Sequence, residues 1–359
     1  MLLNACERVR DYERAAEWCN KVEEFGRRMR INFVMGACRA HYGAVLTWQG
    51  RWGEAERELT GAIEDLARRP TWSGLAIVRL AELRRRQGRF AEAQALLHRA
   101  EGNALTPVVM AELALDLGDA SAAGDLLEPV LRRVPAQNRS LRASPLEVMV
   151  RAKAATGEAE AAASYLVALR AIMAAVGTRP MRASLILCEG LVAAATGDQE
   201  TARGRLEDSV ELFAASGAAF ELAWARLELA RVHAALGRED AAVREATLAL
   251  SRFDEIGAAA EVARARELLG RLGAPPMARR AGPRDQLLTP RQLEILRLVS
   301  EGLTDGEIAA RLVLSSTRFI VTFRTPTPAW VAPRGPRRWR RRTACGCCST
   351  PAGLAAWPR

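Results

Sequence analysis

The best-defined chemistry in this 359-residue sequence lies between Leu288 and Ser315. Thr304 and Asp305 open an apolar-periodic run, so their backbone N–H groups stand at a helix amino end, where a phosphate is readily held. Asp305 opposes that contact by its charge, while Arg291, Arg297 and Arg311 can touch a phosphate backbone. Elsewhere the chemistry is thin. His41, His98 and His233 are far apart, and none has a Ser, Cys or carboxylate at a spacing that suggests a triad. Each reads as a packed or surface helix residue. A phosphate-binding loop needs Gly-Lys followed by Ser or Thr, yet Lys21 follows Asn20 and Lys153 follows Ala152. The expectation is no enzyme, no cofactor and no metal. Trp48, Trp52 and Trp72 are candidates either for an inter-helix core or for the wall of a ligand groove.

Two helix starts position the Leu288–Ser315 residues. Thr289 caps the first, Pro290 suits its first turn and Gln292 completes a capping box, with Leu288 and Leu293 as the staple. Fifteen residues on, Thr304, Glu307, Leu303 and Ile308 repeat the set, and Gly302 closes the first helix. This is the opening half of a helix-turn-helix. The stretch of 28 residues resembles the DNA-binding domain of LuxR-type transcription regulators. That resemblance implies DNA as a partner, with Arg291, Thr304, Asp305, Glu307, Arg311, Ser315 and Ser316 as DNA-binding candidates.

The likeness stops after Ser316. The family places its recognition helix next, and base readout requires such a helix in the major groove. Here Phe319–Phe323 is a β-branched and aromatic run, and Pro326 and Pro328 oppose a helix. In a reading frame shifted by one base near Ser316, the same DNA can encode segments that resemble the recognition helix and the helix after it. Residues 316–359 are therefore expected to be an out-of-frame, disordered tail, and specific DNA binding to be impaired.

The charge agrees. The chain carries a net charge of +10, which invites a nucleic-acid reading. Residues 316–359 hold nine arginines and no Lys, Asp or Glu. Without them 43 basic residues face 42 acidic ones, a net of +1. Three of the seven cysteines, Cys345, Cys347 and Cys348, lie in the same tail. Cys6, Cys19, Cys38 and Cys188 are scattered as buried free thiols would be, in a reducing cytoplasm. No signal peptide is evident, and charged residues such as Arg170 and Glu189 interrupt the longer apolar runs. A soluble, cytoplasmic protein without a membrane partner is expected.

Residues 1–271 carry an internal repeat. Its marker is a glycine followed, five residues on, by an alanine: Gly50 and Ala55, Gly88 and Ala93, Gly118 and Ala123, Gly157 and Ala162, Gly197 and Ala202, Gly237 and Ala242. The intervals are 38, 30, 39, 40 and 40 residues. A degenerate copy runs from Arg10 to Ala15. Glycine ends one helix, polar residues start the next, and alanine lets the pair pack closely. The spacing predicts an all-α solenoid of helical hairpins. An armadillo-like array suits the long period, but the Gly-x-aromatic-x-Glu-Ala form resembles the tetratricopeptide pattern more closely. In large LuxR-type regulators such a region is the sensor, which implies a protein or small-molecule effector. The alternative is a protein-interaction scaffold that does not bind DNA.

The first copy has only about half of its leading helix, so a longer parent chain is expected, with an ATPase domain ahead of the repeats in the family. The predicted organisation is a tetratricopeptide-like domain over 1–271, a Pro/Gly linker over 272–287, a partial LuxR-type helix-turn-helix over 288–315 and the tail.

Overall fold

The computed structural model describes residues 2–29 and 32–274. The helix-turn-helix, the tail and most of the linker lie outside these residues, and with them Arg291, Thr304, Asp305, Glu307, Arg311, Ser315 and Ser316. The described residues form helices without a strand. Short leading helix α1 (Leu2–Arg8) meets α2 (Tyr12–Met29). The hairpins that follow are α3 (Asn32–Trp48) with α4 (Trp52–Asp65), α5 (Pro70–Arg86) with α6 (Phe90–Arg99), and α7 (Thr106–Asp116) with α8 (Ala120–Arg133). Then come α9 (Arg139–Ala155) with α10 (Ala159–Val176), α11 (Arg179–Ala195) with α12 (Gln199–Ala215), α13 (Ala219–Ala235) with α14 (Glu239–Ile256), and α15 (Ala259–Arg271).

Every marker glycine adopts the left-handed conformation, with φ between 70° at Gly237 and 86° at Gly118. The residue after each donates its N–H five residues back, as Arg51 does to Leu46 at 2.9 Å and Arg238 to His233 at 2.9 Å. This helix stop requires a positive φ, which only glycine adopts without steric cost. The degenerate first copy builds the same turn with a side chain in place. Arg10 has φ 53°, and Asp11 N–H donates to Cys6 O at 2.8 Å. The polar starts of the second helices act unevenly. Asp119 and Asp198 cap through their carboxylates, whereas Arg51, Arg89, Glu158 and Arg238 make no side-chain cap.

The alanines are where the hairpins touch. Ala55, Ala93, Ala123, Ala162, Ala202 and Ala242 are each wholly buried. One turn on, Leu59, Leu97, Leu127, Leu166 and Leu206 are buried too, each contributing about 1.5–3 kcal/mol by leaving water. Some leading helices answer with glycine. A Cβ on Gly43 would stand 2.5 Å from Leu59, and one on Gly190 2.8 Å from Leu206. The 30-residue interval has a plain cause: α6 and α7 hold only 10 and 11 residues, against 18 and 17 for α10 and α11.

The array departs from a simple solenoid, in which each unit touches only its neighbours. Leu46, Trp52, Leu59 and Leu83 share one core with Phe220, Leu227, Phe253 and Val262. Gly50 lies against Ala219 and Ile256, and Gly88 against Ala260. Early hairpins thus rest on the last helices. The expectation of no membrane-length apolar run is also corrected for one helix. Ala159–Val176 is long and apolar enough by length and composition, with mean hydropathy 1.5. Its Ala162, Leu166, Leu169 and Met173 are buried along one face, and its Arg170 pairs with Glu189 at 2.7 Å.

Candidate interaction site on the inner face

Side chains from the leading helices meet across the array, and they do so through charge. Arg79 on α5 bonds Glu7 of α1 and, through Nη1, Glu82 at 2.8 Å. Glu7 also receives His41 Nδ1 of α3 at 2.6 Å. Arg86 Nη2 lies 3.0 Å from Glu82 and 2.8 Å from Glu221 on α13. The result is a continuous run of polar contacts, His41, Glu7, Arg79, Glu82, Arg86 and Glu221, in which carboxylates and guanidiniums alternate from Glu7 onward. Arg85 starts a second run with Asp116 at 2.5 Å and Glu112 at 3.0 Å, and Glu112 faces Arg151 at 3.8 Å. Arg264 of α15 bonds both Glu261 and the Asp116 carbonyl of α7.

Helical spacing places these groups. Arg79, Glu82 and Arg86 stand at i, i+3 and i+7 on α5, hence on one face. Burial alone would raise the Glu82 carboxyl, but Arg86, Arg79 and Arg85 outweigh it and hold the group at about 2. Burial would likewise raise Glu7, and Arg79 with His41 brings it below the ordinary range. Burial of ions costs several kcal/mol each, about in balance with a well-formed partner. The runs therefore hold position more than they stabilise.

A small pocket opens along the first run, between Tyr12, Trp48, Arg79, Glu82 and Arg86. Its aromatic wall is a tilted pair, Tyr12 and Trp48, with ring centroids 4.8 Å apart. Trp48 Nε1 donates to Ser216 O at 3.3 Å, and Arg86 lies over the Phe220 ring at 4.9 Å. The three tryptophans divide. Trp48 and Trp52 are buried, Trp48 also lining the pocket, while Trp72 is 52 % exposed.

The histidines divide as well. His41 belongs to the charge run, His98 is exposed beside Glu101 at 3.1 Å, and burial lowers the pKa of His233. No group of three His, Cys, Asp or Glu side chains among the described residues is placed to hold a metal. Cys6, Cys19, Cys38 and Cys188 are buried, and burial pushes the Cys188 thiol well up. Sequence reasoning did not find the Arg79, Glu82 and Arg86 site. On their own helix these residues look like an ordinary charged face.

No protein-family model matches the chain, and no curated protein matches it. Solved structures do. A Rap protein complexed with Competence and Sporulation Factor superposes with a TM-score of 0.59 at 12% identity, over 89% of this chain and 90% of that one. The APC/C hetero-tetramer Cut9-Hcn1 gives 0.50 at 14% identity, over 80% and 52%. A STAND protein with a tetratricopeptide repeat sensor from Pyrococcus horikoshii gives 0.48 at 16% identity, over 73% of this chain. The chain spans 42% of that protein's length. At these identities the likeness is one of fold. The described residues form a tetratricopeptide-like array of helical hairpins.

Proposed function

We propose that this chain is a helical-repeat interaction module that binds a protein or peptide on its inner face. The carrying observation is the pocket between Tyr12, Trp48, Arg79, Glu82 and Arg86, where an aromatic pair stands beside buried charged groups. Aromatic and arginine side chains placed together are the residue types that most often anchor a partner, and at about 10 Å³ the opening itself admits no more than a tip of one. The fold comparison supports it, since the Rap structure holds Competence and Sporulation Factor and the Cut9-Hcn1 structure is a hetero-tetramer. The module acts by holding its partner, without turnover.

The test is a panning of displayed random dodecapeptides against the full chain. Enriched peptides should bind saturably, and Trp48→Ala should weaken them at least tenfold while leaving the helical circular dichroism intact. Absence of enrichment, or binding indifferent to every inner-face substitution, overturns the reading.

A second reading rests on the doubled helix-start pattern of Leu288–Ser315. On this reading the array is the effector-binding part of a LuxR-type regulator whose DNA binding is impaired after Ser316. A mobility-shift assay with genomic fragments tests it. Salt-sensitive, sequence-indifferent retardation is expected, because the arginine-rich tail contacts phosphates alone. A sequence-selective, salt-robust complex would show a working recognition helix.

A further inference from the structure

Two neighbouring hairpins carry arginines that the array does not neutralise. Helix α9 opens with Arg139 and Arg142, and α11 opens with Arg179 and Arg182, the same spacing 40 residues on. Arg132 and Arg133 close α8, just before α9. Residues 129–146 and 161–188 contain no Asp or Glu. Among the described residues, no ion pair joins any of these six arginines to a carboxylate. Arg142 Nη1 donates to the Leu131 and Val134 carbonyls at 2.6 Å, and Arg179 Nη1 to the Ala215 carbonyl at 3.1 Å. The side chains of Arg132, Arg133, Arg139 and Arg182 make no hydrogen bond among the described residues, and all four residues are exposed.

The packing brings them to one edge. The Arg10 guanidinium bonds Glu147 of α9 at 2.7 Å and Ser184 of α11 as well, so these two helices lie side by side. Counted back from that contact, Arg139 stands level with Arg179 and Arg142 with Arg182. The carbonyl bonds of Arg142 tie the end of α8, with Arg132 and Arg133, to the same edge. Three neighbouring helix ends span about 16–20 Å at ordinary packing distances.

An ordinary solvated face does not account for the placement. Arg139 and Arg182 fall where the helix dipole disfavours positive charge, and neither first turn holds an acidic residue. Like charges side by side also repel. The edge costs stability until an anion meets it.

The lack of apolar surface decides which anion. Residues 129–146 and 176–186 contain no aromatic residue. The exposed large hydrophobic side chains of the described residues all lie outside these two stretches. Protein partners are anchored by aromatic and apolar contacts, single strands stack their bases on aromatic rings, and membrane-surface helices insert Trp, Phe or Leu. A nucleic-acid duplex requires none of these, because its backbone is held by charge. Guanidinium also matches phosphate oxygens bidentately.

We infer that the edge formed by Arg132, Arg133, Arg139, Arg142, Arg179 and Arg182 binds the phosphate backbone of duplex DNA without reading its sequence. The choice of DNA over duplex RNA rests on the second reading above, to which it adds a contact made by the array itself.

The experiment uses the full chain and a fluorescein-labelled DNA duplex of mixed sequence. Arginines are modified with p-hydroxyphenylglyoxal, with and without the duplex, and located by mass spectrometry. Arg132, Arg133, Arg139 and Arg182 should be protected, while Arg51, in the turn between α3 and α4, should react as before. This arm needs no variant. Anisotropy then follows binding across a range of potassium chloride. Arg132→Gln, Arg133→Gln, Arg139→Gln and Arg182→Gln together should flatten the slope of log K against log salt by about 3–4, since each phosphate contact contributes about 0.9. The tail is common to both proteins, so the difference belongs to the array. Lysine at the same four positions should keep the slope of the unsubstituted chain.

Protection confined to the tail arginines, or shared equally by Arg51, overturns the inference and leaves the second reading standing. An unchanged slope in the glutamine variant does the same. No binding of the duplex at all would remove both. Tighter binding through these arginines by duplex RNA, phosphatidylserine vesicles or polyglutamate would assign the edge to another partner and overturn the inference equally.

Discussion

Arg10 Nη2 donates to Glu147 Oε2 at 2.7 Å, joining the first hairpin turn to α9 across 137 residues. The same guanidinium bonds Ser184 of α11 through Nη1, and Thr178 Oγ1 donates to the adjacent Val9 carbonyl at 2.5 Å. Arg10 stands where the later hairpins have glycine, with φ 53°. A side chain in that conformation costs about 1–2 kcal/mol. The sequence tolerates the cost where the residue makes a cross-array contact that glycine cannot make.

Replacing Arg10 tests which effect wins. Arg10→Gly relieves the backbone by about 1–2 kcal/mol. It also strands Glu147, whose side chain is 12 % exposed, and breaking a buried pair costs about 3–5 kcal/mol. A net loss of about 1–4 kcal/mol follows, read as a lower Tm. Arg10→Gly with Glu147→Leu should recover most of it. A rise in Tm for Arg10→Gly alone would show that the pair contributes less than the strain.

Glu82 sets the acid side of the stability profile. Its folded pKa, about 2, lies below the ordinary value of 4.5. The folded state therefore holds the proton less tightly than the unfolded chain. Its contribution is complete above about pH 4.5 and is lost as pH falls toward 2. Glu82→Gln should lower Tm at pH 7 and flatten the fall of Tm between pH 4.5 and 2. A parallel downward shift with unchanged slope would assign the acid sensitivity to other carboxylates.

Glu261 works in the opposite sense. Burial raises its pKa, the carboxylates of Asp116 and Glu228 add to the effect, and Arg264 and Arg231 only partly offset it. A raised folded pKa means that protonation favours folding, so stability declines as pH rises through that value. Glu261→Gln should raise Tm at pH 7.5, with a gain that shrinks toward pH 4. Arg264 keeps its bond to the Asp116 carbonyl in this variant. A lower Tm at pH 7.5 would mean that the Glu261–Arg264 pair outweighs the burial of charge.

These groups also mark where sequence reading stopped. The hairpins were legible because their signal is local. Gly50 and Ala55 are five residues apart, and both roles follow from backbone sterics and close packing. Even the degenerate copy at Arg10 built the expected turn. The closing of the array on itself was not legible, since Arg10 and Glu147, or Asp116 and Arg264, are far apart and carry no shared pattern. Arg84, Arg85 and Arg86 illustrate the difficulty. Three consecutive arginines carry no local mark of burial, yet all three are less than 10 % exposed. Tertiary partners from α4, α7 and α13 meet them there. The inner-face pocket was half visible, in Trp48 alone. The DNA-binding candidates from Arg291 to Ser316 lie outside the described residues, so the sequence remains their sole support.

The hairpin packing itself can be tested with two glycines that differ only in surroundings. Gly190 lies within α11, where a Cβ would stand 2.8 Å from Leu206 Cγ and 3.3 Å from the Ala202 carbonyl. Gly204 lies within α12 with nothing within 4 Å of an added Cβ. Neither has a positive φ. Alanine at an open helical glycine gains about 0.5–1 kcal/mol, because the unfolded chain has less freedom to lose. Gly204→Ala should therefore raise Tm. At Gly190 the same gain is overtaken by overpacking of about 1–3 kcal/mol, since Leu206 is wholly buried and Ala202 is backbone-fixed. Gly190→Ala should lower Tm. Adding Leu206→Ala to Gly190→Ala makes room for the new methyl, so the double variant should lose less than the sum of the two single losses. Additive losses would place the two helices farther apart than the alanine marker demands.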